Sequence, residues 1–270
     1  MKIGSINING VNAFANTRFP GAWEFFGFYG PDVLCIQETK GNQQKVENCL
    51  RSHLDSYSYI PFVSHSKGKA GYAGVALFIK KSFLDSTPYR ITSVELTDFM
   101  DKSDPLLNNM YYYGTGRIIQ YESDDTIIIS VYVLNSGGKE DLRVKWDVLF
   151  TDYLKKLPKD KKIYVLGDFN VCEGHLDMWN WENALNTSPG LMQFEIDGFH
   201  NLIEETGFVD TFRNLNPDLR KYSWSAPKVP LSKGWRLDYI LTNRMDTVES
   251  STILSEVRAS DHVYVELITK

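Results

Sequence analysis

Little in this sequence suggests a secreted, membrane-spanning or charge-driven protein. Its 270 residues include three cysteines, Cys35, Cys49 and Cys172. That count is odd and contains no C-x-x-C pair, which argues against a disulfide framework and against a structural zinc site. No apolar run approaches the roughly 18 residues that a membrane span needs. The opening MKIGSINING lacks the long apolar stretch of a secretory signal, so a soluble, cytoplasmic protein with reduced thiols is expected. Positive charge is also short, with a formal net charge of -5, which excludes a protein that coats nucleic acid through charge alone. Basic clusters at Lys67/Lys69, Lys139/Arg143/Lys145, Lys159/Lys161/Lys162 and Arg220/Lys221 read as solvated surface. There is no internal repeat and no low-complexity linker.

What is present is material for a large core. Hydrophobic residues make up 43% and aromatics 13%, which suits one domain over residues 1–270 better than two small ones. Strand-forming runs recur at 2–8, 33–38, 74–79, 117–121, 126–134, 162–169, 236–242 and 263–268, rich in β-branched and aromatic residues. Helical patterns fall at 22–29, 43–52, 141–156 and 193–206. In the third, Leu142, Trp146, Leu149 and Leu154 share a stripe, as do Phe194, Ile196, Phe199, Leu202 and Ile203 in the fourth. Strands mixed with scattered helices predict an α/β layered fold, sheets inside and helices outside. The segment 98–109 reads as a loop, and 173–190 as a long irregular excursion.

The segment Leu166-Gly167-Asp168-Phe169-Asn170 ends a buried strand with a carboxylate and a carboxamide two positions apart. An Asx-type turn explains only one of the two polar residues. The same feature recurs at other strand ends. Asn7 and Asn9 end the first run, Glu38 the second, and Tyr132 and Asn135 lie at the end of IIISVYVLN. Asp238 lies in WRLDY, and Asp261 with His262 precedes the last strand. These are oxygen and nitrogen donors, the inventory a hard cation such as magnesium favours. Taken singly, Tyr132 and Trp235 also read as core, Gln37-Glu38 as an exposed strand terminus, and Asp261-His262 as a local turn.

As an ordered set, SINING, CIQETK, GYAGVALF, GRIIQYE, VYVLNSG, GDFN, GFVDTFR, GWRLDY and SDH resemble the exonuclease III family of abasic-site endonucleases. The likeness runs over essentially the whole chain. It implies a deoxyribonuclease I-like four-layer α/β sandwich, two packed mixed sheets flanked by helices, within the endonuclease/exonuclease/phosphatase superfamily. It further implies magnesium-dependent cleavage on the 5′ side of abasic sites in double-stranded DNA, with possible 3′-end trimming and with manganese able to substitute. A monomer without membrane attachment is implied, nucleoid-associated in a bacterium or nuclear in a eukaryote. By position, Asn7 and Glu38 match metal-holding residues, with Asp261 a further acidic contributor. Asp168 matches the residue that activates or orients water, and Asn170, Tyr132 and Asn135 match phosphate-facing groups. His262 matches a phosphate-contacting imidazole, and Asp238 the carboxylate that orients it. Trp235 and Leu237 match the slot for a flipped, baseless sugar, and Tyr72 and Arg117 match DNA-backbone contacts.

These roles suit phosphodiester hydrolysis on chemical grounds. A carboxylate beside His262 favours the imidazolium, and Asp168 near a cation is expected to be ionised. Three departures stand out. Ser223, immediately before Trp224, stands where relatives often carry a bulky aromatic, Gly138 where some place an arginine, and Thr115 where an acidic residue is common. His175 and Asp177 read as a loop brace. A phosphatase or a non-specific deoxyribonuclease of the same superfamily is the alternative reading, since such sites share most catalytic groups.

Overall fold

The computed structural model describes residues 1–15, 25–258 and 260–270. Its strands in chain order are β1 (Lys2–Asn7), β2 (Val33–Gln37), β3 (Tyr59–Ser64), β4 (Val75–Lys80), β5 (Arg90–Ser93) and β6 (Ile118–Glu122). They continue with β7 (Thr126–Tyr132), β8 (Lys162–Asp168), β9 (Val209–Asp210), β10 (Asp238–Thr242), β11 (Val248–Arg258) and β12 (Val263–Thr269). Two mixed six-stranded sheets result, ordered β11-β12-β1-β2-β4-β3 and β5-β6-β7-β8-β10-β9. Three longer helices flank them: α1 (Gln43–Tyr57), α2 (Glu140–Lys155) and α3 (Gln193–Thr206).

The layering follows from strands that are apolar on both faces, the mark of central, fully covered strands. In β8, Ile163 and Val165 pack with Trp146 and Phe150 of α2 and with Phe199 and Leu202 of α3. The alternate residues Tyr164 and Leu166 enter a second cluster between the sheets, with Ile3, Cys35 and Val265. A third cluster joins Ile6, Leu34 and Ile36 of the first sheet to Val46, Leu50 and Leu54 of α1. The result is helix, sheet, sheet, helix: the four-layer sandwich.

This stacking brings strand ends together. Each sheet holds a central parallel pair, β1 with β2 and β7 with β8. Across the interface β1 lies against β8 and β2 against β7. The C-terminal ends of four strands therefore open on one edge of the sandwich, a usual place for a site in α/β sheets.

Some elements depart from expectation. Four strands escape a pattern reading: β3, β5, β9 and β11. Pro61 interrupts β3 in sequence but is tolerated because β3 is an edge strand. Residues 22–24 of the expected helix 22–29 lie outside the described residues, and Phe25–Tyr29 form a single π-helical turn. The expected loop 98–109 contains helical turns at Leu96–Phe99 and Leu107–Asn109.

Gly167 sits where β8 is hemmed in by β7. It pairs with Val131, and a Cβ added there would lie 1.8 Å from the Val131 carbonyl oxygen. Because that neighbour is backbone, no rotamer change relieves the clash. Gly167→Ala is expected to destabilise by at least about 2–3 kcal/mol, read as a lowered urea midpoint. A midpoint shift worth less than about 0.5 kcal/mol would show that β7 and β8 part easily here.

Candidate active site

Register places the catalytic candidates. Tyr132 pairs with Asp168 across β7 and β8, and Asp168 with Asp238 across β8 and β10. Residues in register share a face of the sheet, so the three side chains stand in a row. Asn7 ends β1 in the other sheet, and Glu38 leaves β2 with φ 55°. Asn170 also adopts a left-handed backbone, φ 48°, unusual outside glycine. Two bonds hold it there: its N–H donates to Asp168 Oδ1 at 2.9 Å and its Nδ2 to the Val133 carbonyl at 2.9 Å. The Asx turn is thus real, and it aims both polar residues of GDFN into the cleft.

The centre is a buried hydrogen-bonded chain. Asn7 Nδ2 donates to Glu38 Oε1 at 3.1 Å and to Asp168 Oδ2 at 2.9 Å. His262 Nε2 lies 3.7 Å from that same Asp168 oxygen. On its other side His262 Nδ1 is 2.8 Å from Asp238 Oδ2. Asp168 and Asp238 are each 2% exposed and His262 4%. Burial pushes the Asp168 carboxyl up to about 7 against the pull of His262, so before any cation binds it is less readily ionised than expected. Burial alone would pull the imidazole down, but Asp238, Asp168 and Asp261 outweigh it and raise His262 to about 10. The imidazolium is therefore the form present at neutral pH, as expected. Asn135 Nδ2 donates to Asn170 Oδ1 at 3.2 Å, placing the two carboxamides side by side. Burial, reinforced by Glu38, raises the Tyr132 phenol well above its usual range and keeps it a donor.

Oxygen donors suited to a hard cation gather around Glu38. Burial pushes its carboxyl up, but Lys40 and the bonds from Asn7 and Tyr132 prevail, so Glu38 ionises more readily than usual. Lys40 Nζ lies 2.8 Å from Glu38 Oε2 and 2.5 Å from Asn9 Oδ1. An ammonium already bridges an acidic and an amide oxygen there, the donor chemistry a magnesium-like ion would meet. Asn9, which sequence reasoning noticed without assigning, belongs to this group. Asn7 is tied on both sides, because its Oδ1 also accepts the Asn9 N–H at 3.0 Å; it orients two carboxylates. Asp261 is reached through Asn9 Nδ2 at 3.3 Å, and its other oxygen accepts the Trp224 indole N–H at 2.8 Å. Asp168, Asp238 and His262 also approach one another closely enough to share an ion, but there the imidazole is already spent on Asp238.

Beside this centre lies an apolar cluster. Trp224 and Trp235 meet edge to face, centroids 5.2 Å apart, and pack with Leu237, Met178 and Leu191. Ser223 is fully buried. Its hydroxyl accepts the N–H groups of Leu237 and Asp238, each at 3.0 Å, which fixes the start of β10. Trp224, next in the chain, packs on the apolar cluster. Arg117 also differs from expectation: it is 1% exposed, and its guanidinium donates to the Tyr113 and Tyr132 carbonyls at 2.8 and 3.1 Å. It braces Tyr132 from beneath and offers no free face to a DNA backbone. Tyr72 is half-buried over that guanidinium.

Two arginines that carry the site were not singled out from sequence. Arg143, read as solvated, is 2% exposed. It donates to the carbonyls of Leu134, Phe169 and Asn170 at 2.8, 3.2 and 3.2 Å and pairs with Asp147 at 2.8 Å. It thereby clamps the two loops that bear Asn135 and Asn170. The missed signal was periodicity, since Arg143 lies three residues before Trp146 and seven before Phe150, on the apolar stripe of α2. Arg236 is fully buried and binds Asp177 through Nε at 2.7 Å and Nη2 at 2.9 Å. It also binds Asp210 at 2.5 Å and Glu173 at 3.2 Å. Asp177 is a brace, as expected.

A four-layer sandwich whose strand ends gather carboxylates, carboxamides and a charged imidazole at one edge defines a class of phosphate-ester hydrolases. The chain belongs to the endonuclease/exonuclease/phosphatase family, whose profile matches residues 4–262. It is 32% identical over 250 residues to an exodeoxyribonuclease of Streptococcus pneumoniae serotype 4, covering 87% of this chain and 85% of that one. It is 31% identical over 279 residues to the DNA repair nuclease APEX1 of Danio rerio, covering 99% of this chain and 81% of the relative. In fold it is similar to the AP endonuclease LMAP of Leishmania major, with a TM-score of 0.83 at 23% identity over 100% of this chain and 87% of that chain.

Proposed function

We propose that this protein is a divalent-metal-dependent DNA repair nuclease acting as a monomer of one domain. It hydrolyses the phosphodiester 5′ to an abasic site in duplex DNA and trims 3′ ends with the same groups. The observation that carries this reading is the buried Asp168–His262–Asp238 line standing beside an apolar cluster that includes Trp224, Trp235 and Leu237. A baseless sugar, once flipped out, can lie against such an apolar face, whereas one bearing its base is bulkier and more polar. That the S. pneumoniae relative is an exodeoxyribonuclease and the D. rerio relative a DNA repair nuclease supports nuclease chemistry on DNA.

The protein's own groups account for the chemistry. His262 is fixed by Asp238 and directs Nε2–H at a non-bridging oxygen, where negative charge builds. Asn170 and Asn135 each keep a second amide N–H after their internal bonds and offer it to phosphate. Tyr132 gives its one O–H to Glu38 and so steadies that carboxylate. Asp168 takes a proton from water as the water oxygen bonds to phosphorus and the bond to the 3′-oxygen breaks. The leaving oxygen gains its proton from solvent. Glu38 and Asn9, oriented by Asn7, would hold magnesium or manganese, which supplies neutralisation of the phosphate charge.

One gel tests this reading. Three 5′-labelled duplexes carry a tetrahydrofuran abasic analogue, a recessed 3′ end or no lesion, each with and without magnesium. Incision 5′ to the analogue, dependent on magnesium and much faster than cutting of intact duplex, is expected. Equal cutting of all three favours a non-specific deoxyribonuclease, and turnover of inositol phosphates alone favours a phosphatase.

A further inference from the structure

A ladder of rings and cations leads from the cleft to the surface. Its inner end is Tyr132, whose ring centroid lies 4.6 Å from the Arg117 guanidinium carbon; the same guanidinium is 5.3 Å from the Tyr72 ring. Tyr72 meets Tyr113 at 6.2 Å and Tyr113 meets Tyr112 at 4.8 Å, both edge to face. Lys69 Nζ stands 4.7, 5.9 and 5.8 Å from the rings of Tyr72, Tyr112 and Tyr113. Lys139 Nζ lies 5.7 Å from Tyr113. At the outer end Tyr111 and Tyr112 are 49% and 43% exposed.

Single exposed tyrosines are ordinary. Tyr112 is joined to the ladder and Tyr111 precedes it on the same turn, and that element is anchored. Met110–Gly114 form one π-helical turn whose first residue is buried in the core. Thr115 Oγ1 donates to the Tyr111 carbonyl at 2.8 Å and accepts the Lys67 N–H at 3.0 Å. Gly68 packs so closely that a Cβ would lie 2.4 Å from Tyr112 Cα. Buried Glu95 ties the same segment, its Oε2 accepting the Gly116 N–H at 3.2 Å. The rings are thus presented in a fixed arrangement, which lowers the ordering cost of binding.

The charge is cationic and local. Among the described residues neither Lys69 nor Lys139 forms a salt bridge. Burial, then Arg117 and Lys69, hold the Lys139 ammonium below its usual range, with Glu140 opposing. In a chain of net charge -5, such a strip beside the cleft complements phosphates. Tyr72 and Tyr113 already carry cations against their rings, so the exposed Tyr111 and Tyr112 are the ones left for a different partner. Bases within a duplex already stack on one another, so only unpaired bases have a face to give.

We propose that Tyr111, Tyr112, Tyr113, Tyr72, Lys69 and Lys139 form a stacking platform for an unpaired stretch of DNA adjoining the bond in the catalytic cleft. The enzyme would then favour lesions beside gaps, overhangs or frayed ends over lesions in fully paired duplex. This rests on the nuclease reading above and deepens it.

The test reads binding without metal, so that it does not depend on turnover. Fluorescence anisotropy in EDTA compares a fully paired duplex carrying the tetrahydrofuran analogue with the same duplex given an unpaired flank on either side. The wild-type protein is expected to bind one flanked duplex about tenfold more tightly or better. Y111A/Y112A should bring that ratio close to one, and Y111F/Y112F, which keeps both rings, should retain it. A wild-type ratio of one overturns the proposal, as does a ratio unchanged in Y111A/Y112A or lost equally in Y111F/Y112F. Absence of incision on every probe with magnesium would instead count against the nuclease reading, while the metal-free ratio still decides the platform.

Discussion

Asp168→Asn is expected to leave a folded protein that still binds DNA and cuts it about 10²–10⁴-fold more slowly. The substitution keeps shape, removes the charge and leaves one acceptor oxygen where there were two. Asp168 Oδ1 is held by the Asn170 N–H and Oδ2 by Asn7 Nδ2, which leaves lone pairs for a water; Asp238, the other buried carboxylate beside His262, is tied to the opposite ring nitrogen. A neutral amide cannot take the proton, so the loss falls on kcat and little on DNA affinity. Stability should move the other way or not at all. Burial already opposes charge at this position, raising the carboxyl to about 7, and a neutral isostere escapes that cost. Function and stability are often opposed in this way at catalytic sites. Single-turnover cleavage with a melting curve checks both halves. A variant that cuts within tenfold of wild type would remove Asp168 from the mechanism, and a collapsed melting temperature would make its role structural.

The layers were legible because β8 and its neighbours carry continuous apolar runs between polar ends, and because α2 and α3 carry apolar stripes. Edge elements were less so. β11 alternates too many serines and glutamates to look like a strand, and only its pairing with β12 makes it one. The site was legible where a polar residue ended an apolar run, as at Asn7, Glu38 and Asp168. It was illegible where a charge serves the interior. Arg143 looked like one more basic residue because clusters were judged by composition, and its burial depends on Asp147, Glu195 and three carbonyls contributed by other segments. Ser223 is a related case: its departure from a bulky aromatic was visible, but not the bonds its hydroxyl accepts from the start of β10. Spacing reports which face a residue occupies and says nothing about which distant segment arrives to partner it.

Arg236 offers the sharpest test of such interior charge. Arg236→Met is expected to cost about 3–5 kcal/mol at pH 8, because it strands buried carboxylates that lose their cation. That corresponds to roughly 10 °C in melting temperature for a chain of this size. The pH dependence separates this cause from lost packing. Burial, and then Asp210, push Glu173 up from 4.5 to about 7 against the pull of Arg236. In the wild type, stability linked to Glu173 is thus fully present below about 4.5 and is lost as pH rises through about 7. Without Arg236 the carboxyl moves further up, so protonation at pH 5 relieves one of the stranded charges that pH 8 leaves in place. The deficit of the variant should therefore be smaller at pH 5 than at pH 8 in urea unfolding, with Arg236→Lys intermediate. Equal deficits at both pH values would assign the loss to packing alone. Asp238 begins two residues beyond Arg236, and it orients His262 at 2.8 Å. Loosening this anchor should lower kcat even where the variant remains folded, because the imidazolium would no longer be held toward the phosphate.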